Sequence, residues 1–61
     1  GNLIEVHRAR GERLLLLGDA EAAARQFHQA LERAPANHTR KALLRDRLDE
    51  ANRQVSANRQ R

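Results

Sequence analysis

The 61-residue chain contains no cysteine, no methionine, no tryptophan and no tyrosine, and its aromatic content is a single phenylalanine. The missing thiols exclude disulfides, thiolate nucleophiles and cysteine zinc sites together. The missing aromatics leave nothing but Phe27 to stack on a nucleobase. Proline occurs once, at Pro35, and glycine three times. The longest apolar run, Leu14 to Leu17, is far short of the ~20 residues needed to span a bilayer, and the N-terminal residues lack the basic and apolar stretches of a signal peptide. The chain reads as soluble, with the cytoplasm favoured.

What is present is alanine, leucine, arginine, glutamate and glutamine, all good helix formers, with only three β-branched apolar residues. The net charge of +4 comes from 11 Arg and one Lys against eight acids, with the signs interspersed. Only 13 side chains are large and apolar, against 11 alanines, so one thin core is the most the chain can build. A single core of this size supplies roughly 3 to 5 kcal/mol.

Breakers stand at two places, Gly18-Asp19 and Pro35-Ala36-Asn37, and divide the chain into three helical segments of one domain. The first runs from Asn2 to Leu17, with Asn2 and Glu5 spaced as a capping box. Gly18 suits the left-handed residue that closes a helix, and Asp19 can cap the next at once. Helix two runs from about Ala20 to Ala34, where Pro35 removes a donor. Helix three opens near Asn37 or Thr39, either able to cap. Leu44, Leu48, Ala51 and Val55 then form one stripe. Beyond Val55 the stripe stops; the third helix is expected over residues 38–58, with the tail from Ser56 weakly held and 59–61 frayed. The expected class is all-α, an antiparallel helical hairpin followed by a third helix.

The second segment, Gly18-Asp19-Ala20-Glu21-Ala22-Ala23, then Phe27, Ala30, Leu31 and Pro35, together with Gly11 upstream, resembles the tetratricopeptide repeat, a 34-residue helix-turn-helix unit. One repeat would span residues 4–37, and the remainder resembles the capping or solvating helix that closes such arrays. His7, Arg10 and Leu14 stand where that family has tryptophan, leucine and tyrosine. The resemblance implies a core of Gly11, Leu14, Leu17, Ala23, Phe27, Ala30, Leu31, Leu44 and Leu48. It also implies a partner-binding concave face lined by Glu5, Arg8, Ala9, Glu12, Leu15 and Leu16 on the first helix, and by Thr39, Ala42, Leu43, Asp46 and Asp49 on the third. Independently of it, Gly11 in mid-helix costs about 1 kcal/mol relative to Ala, a cost offset where helices approach closely, and Phe27 is the ring to fill that groove.

Successive helical residues turn by about 100°, so the four leucines Leu14 to Leu17 point over roughly 300° of the helix and one neighbouring helix cannot cover them. With Leu14 and Leu17 facing the second helix, Leu15 and Leu16 emerge on the opposite side, to be covered by the third helix of the same chain, by a second copy or a neighbouring repeat, or by a bound peptide. The expected function is therefore a non-catalytic protein-protein interaction or self-assembly module, a homodimer or a neighbour of further repeats, with Glu5, Arg8 and Glu12 setting orientation. No cofactor, metal or catalytic residue is expected: His7, His28 and His38 have no ligand-like spacing, and Glu12, Asp46 and Asp49 would repel a carboxylate ligand. The alternatives are a small basic nucleic-acid-binding domain, using the Arg-rich third helix, or a structural fragment of a longer array.

Overall fold

The computed structural model describes residues 2–60, without the side chain of Asn2. It contains three helices: α1 (Asn2–Leu16), α2 (Ala20–Arg33) and α3 (Lys41–Arg59), with no strand among the described residues. The all-α class and the helical hairpin with a third helix are as the sequence implies. No helix is long and apolar enough to cross a membrane among these residues.

The α1–α2 corner is local chemistry. Gly18 takes φ +84°, a region closed to most side chains. The Asp19 N–H reaches back to Leu14 O at 2.9 Å, and the Gly18 N–H to Leu15 O at 3.0 Å, a Schellman closure that satisfies two orphan carbonyls. One residue later Asp19 Oδ1 accepts from the Ala22 N–H at 3.2 Å and starts α2. The capping box expected of Asn2 lies outside the described side chains. Its partner Glu5 is engaged elsewhere, with Arg8 and Arg40.

The second corner differs from expectation. α3 opens at Lys41, after Arg40, with neither Asn37 nor Thr39 as its cap. No side chain caps the helix; His38 holds the turn ahead of it, its Nδ1 accepting from the Arg40 N–H at 3.1 Å and its carbonyl from the Lys41 N–H at 3.1 Å. Lys41 Nζ turns back onto Ala34 O at 3.4 Å, satisfying the end of α2. At the far end α3 continues through Arg59, so helix persists past the Val55 stripe and through Ser56 into the tail expected to fray. Arg61 lies outside the described residues.

Both outer helices pack on α2. Ile4, Ala30, Ala34 and Leu44 form one core cluster, with Leu31 against it. Ala23, Phe27 and Ala51 form the other, flanked by Leu14, Leu15, Ala24 and Leu48. Pairing Ala30 with Leu44 and Ala23 with Ala51 makes α2 and α3 antiparallel. α1 and α3 are instead parallel: Glu5 bonds Arg40 and Glu12 bonds Arg47, each 35 residues on.

The pivot of the hairpin is Gly11 against Phe27. The ring is fully buried, and a Cβ at Gly11 would lie 2.7 to 2.9 Å from three of its carbons. Ala23, fully buried, packs in the same cluster as the ring, and the fully buried Ala30 lies in the other. The expected core needs one correction and four additions. Leu17 is 70% exposed, not buried, because α1 ends at Leu16 and the turn carries Leu17 outward. Ile4, Ala20, Ala34 and Ala51 are buried core residues beyond those expected.

Candidate functional site

The direction in which α1 faces α2 is fixed by Gly11, the point of closest approach. Residues three and four further on share its side of the helix, and residues five and six further on do not. Leu14 and Leu15 therefore both pack on the Ala23–Phe27–Ala51 cluster, whereas Leu16 is 89% exposed. The expected assignment of the quartet is thus half right: Leu14 is inside and Leu16 outside, but Leu15 is half-buried and does not stand on an open face. Leu3, Val6 and Leu43 are also exposed apolar residues.

The charged residues of the expected partner face are largely occupied within the chain. Glu12 receives two hydrogen bonds from Arg47, from Nε and from the terminal nitrogen, each 2.7 Å. The guanidinium of Arg47 also lies over the Phe27 ring, 5.8 Å from its centroid, closing the core from the solvent side. The bidentate contact with Glu12 outweighs partial burial and raises the pKa of Arg47, with the Glu12 and Glu50 charges adding to it. Glu5 is held by Arg8 Nε at 2.7 Å and by Arg40. The hydrogen bond from Arg8 lowers the Glu5 pKa below its ordinary value, with the Arg40 and Arg8 charges acting the same way against desolvation. Of the residues expected to orient a partner, Glu5 and Glu12 instead tie α1 to Arg40 and Arg47, and Arg8 pairs with Glu5 within α1. Neither Arg40 nor Arg47 was singled out for this role, although their spacing from Glu5 and Glu12 is one repeat plus one residue.

The rest of that face is open: Ala9 and Leu16 on α1, and Thr39, Ala42, Leu43, Asp46 and Asp49 ahead of and along α3, are exposed. His7 is half-buried and spans α1 to α2, its Nδ1 2.7 Å from Gln26 Oε1. An amide oxygen only accepts, so the ring nitrogen is the donor. His28 Nδ1 lies 2.9 Å from Glu32 Oε1 on the exposed side of α2. It also lines an open groove between α2 and α3 with Ala24, Arg25, Gln29, Leu48 and Asn52. Among the described residues no three His, Asp or Glu side chains gather as a metal site.

No protein-family model, curated protein or solved structure matches the chain.

Proposed function

We propose that this chain is a non-catalytic protein-interaction module of tetratricopeptide type that binds another chain through leucine side chains its own fold leaves in water. The observation that carries the reading is Leu16 at 89% exposure beside Leu17 at 70%, directly after the half-buried Leu14 and Leu15 that pack on the core. Burying one such side chain contributes about 1.5 to 3 kcal/mol, the scale of a real contact in a module this small. Support for the repeat-like reading comes from the Gly11–Phe27 approach and from α1 and α3 running parallel with a constant offset of 35 residues. That is the setting two consecutive repeat units would give their first helices.

The experiment is sedimentation or light scattering across a concentration series, with Leu16→Asp beside the parent chain. Self-association of the parent is expected. Leu16 is so exposed that its replacement should change stability by no more than about 0.5 kcal/mol, so the variant should keep its helical circular dichroism and lose the association. A variant that associates as tightly as the parent would remove this end of α1 from the interface.

A further inference from the structure

Resting on that reading, the exposed apolar residues and the unpaired charges fall into two matching rows. On α1, Leu3, Val6, Arg10, Arg13 and Leu17 alternate by three and four residues and share one flank. The Leu17 N–H still reaches Arg13 O at 3.0 Å, which keeps that residue on the helical spacing. The flank points away from α3: Leu3 and Arg10 each stand two residues, roughly 200° of turn, before Glu5 and Glu12, which bond Arg40 and Arg47. On α3, Leu43, Asp46, Glu50, Arg53 and Ala57 repeat the same spacing. Their side is turned away from α2, since Asp46 lies two residues from both Leu44 and Leu48, which pack on it. Leu3, Val6, Leu17 and Leu43 are four of the five exposed large apolar residues, and the fifth, Leu16, four residues past Glu12, edges the α3 row. Among the described residues Arg10, Arg13 and Asp46 form no ion pair, and Glu50 has only the exposed Arg53 at 3.5 Å.

Charge decides which row meets which. Two α1 rows brought together end to end set Arg10 on Arg10 in either direction, and two α3 rows likewise set Glu50 on Glu50. An α1 row laid parallel on an α3 row opposes Arg13 with Arg53. Antiparallel, the same two rows set Leu17 on Leu43, Arg13 on Asp46, Arg10 on Glu50 and Leu3 on Ala57, apolar contacts at the ends and opposite charges between them. At the remaining position the aliphatic stem of Arg53 meets Val6. A chain cannot join its own rows, because its α1 row faces away from its α3. A second copy can, and the entering and receiving rows are different surfaces, so the contact is heterologous and involves no two-fold axis. A copy that gives its α1 to one neighbour still offers its α3 to another. We propose that copies of this chain assemble head to tail, the outer flank of α1 in one lying antiparallel on the outward side of α3 in the next.

Blocking one row at a time tests this by sedimentation. Leu17→Asp spoils the entering row of a chain and Leu43→Asp its receiving row, and each variant alone is expected to raise the dissociation constant roughly tenfold or more. An equimolar mixture keeps one intact contact, α1 of the Leu43→Asp chain on α3 of the Leu17→Asp chain. That mixture should form a pair and stop at two chains, whereas the parent should grow beyond two as concentration rises. A second route leaves the leucines alone: Arg13→Asp and Asp46→Arg should each weaken assembly, and the double variant should recover it, its charges being opposite again. All four positions are exposed, so circular dichroism of each variant should match the parent. A parent that stays monomeric overturns this proposal and the self-association reading together. A parent that associates but stops at two, a leucine mixture without recovery, or a double charge variant no tighter than the single ones overturns the head-to-tail arrangement alone.

Discussion

Replacing Gly11 by Ala tests the hairpin at its point of closest approach, because two effects of similar size oppose each other there. In an exposed helix the change gains about 1 kcal/mol of helix propensity. Here the new methyl group would sit 2.7 Å, 2.8 Å and 2.9 Å from three carbons of the Phe27 ring. All three lie below the separation that packed carbons tolerate, about 3.5 Å. The ring cannot retreat, being fully buried between Ala23, Ala51 and the half-buried Leu14, Leu15 and Leu48. Overpacking of this kind costs about 1 to 3 kcal/mol, so the expected net result is a loss of up to ~2 kcal/mol. For a domain of this length each kcal/mol moves the melting temperature by about 4 to 8 °C. The assay is thermal denaturation of Gly11→Ala, Phe27→Leu and the double variant. Leucine is shorter than the ring, so in the Phe27→Leu background the Gly11→Ala change should lose its penalty and show a coupling of opposite sign to the single-variant loss. A Gly11→Ala chain that melts higher than the parent, or a cycle that is strictly additive, would refute the contact on which the packing of α1 rests.

Two other outcomes follow from the same packing and charge arrangement. Phe27→Ala removes the larger of the two fully buried big side chains and should cost about 3 to 5 kcal/mol, enough to exhaust a core of this size; loss of the helical signal at room temperature is expected, and an unchanged melt would mean that Phe27 is not central. The Glu5 carboxylate has its pKa lowered from 4.5 by the hydrogen bond from Arg8 first and the nearby charges of Arg40 and Arg8 next. A lowered folded-state value means that its contribution is present above the unfolded-state pKa and is lost as pH falls through the folded one. Melting curves taken from pH 6 down to pH 3 should therefore fall further for the parent than for Glu5→Gln, about where carboxylates titrate; parallel curves would show that Glu5 contributes nothing to holding α1 against α3.

Composition and punctuation were enough to fix the helices, because their causes are local. Gly18 with Asp19, and Pro35, end and start helices through the backbone of neighbouring residues, and the α1–α2 corner formed as those residues dictate. The Leu44, Leu48, Ala51 stripe was legible for the same reason, a helix presenting every third or fourth residue to one side. Even the role of Gly11 could be read, since a mid-helix glycine opposite a lone aromatic has few other uses. The start of α3 was not legible, because its N-cap, Arg40, makes no side-chain cap and the preceding turn is held by the His38 ring, whose geometry that turn itself creates.

Tertiary structure alone decided which two of four consecutive leucines would be covered and where the carboxylates would be spent. Periodicity gives the angles between Leu14, Leu15, Leu16 and Leu17 but not the direction of the neighbouring helix. Only the approach of Phe27 to Gly11 fixes that zero, and it leaves Leu16 and Leu17 in water. Likewise Glu5 and Glu12 carry no mark in the sequence that reserves them for Arg40 and Arg47, 35 residues away. That pairing exists because α2 reverses the chain and α3 reverses it again, which brings the first and third helices side by side and parallel.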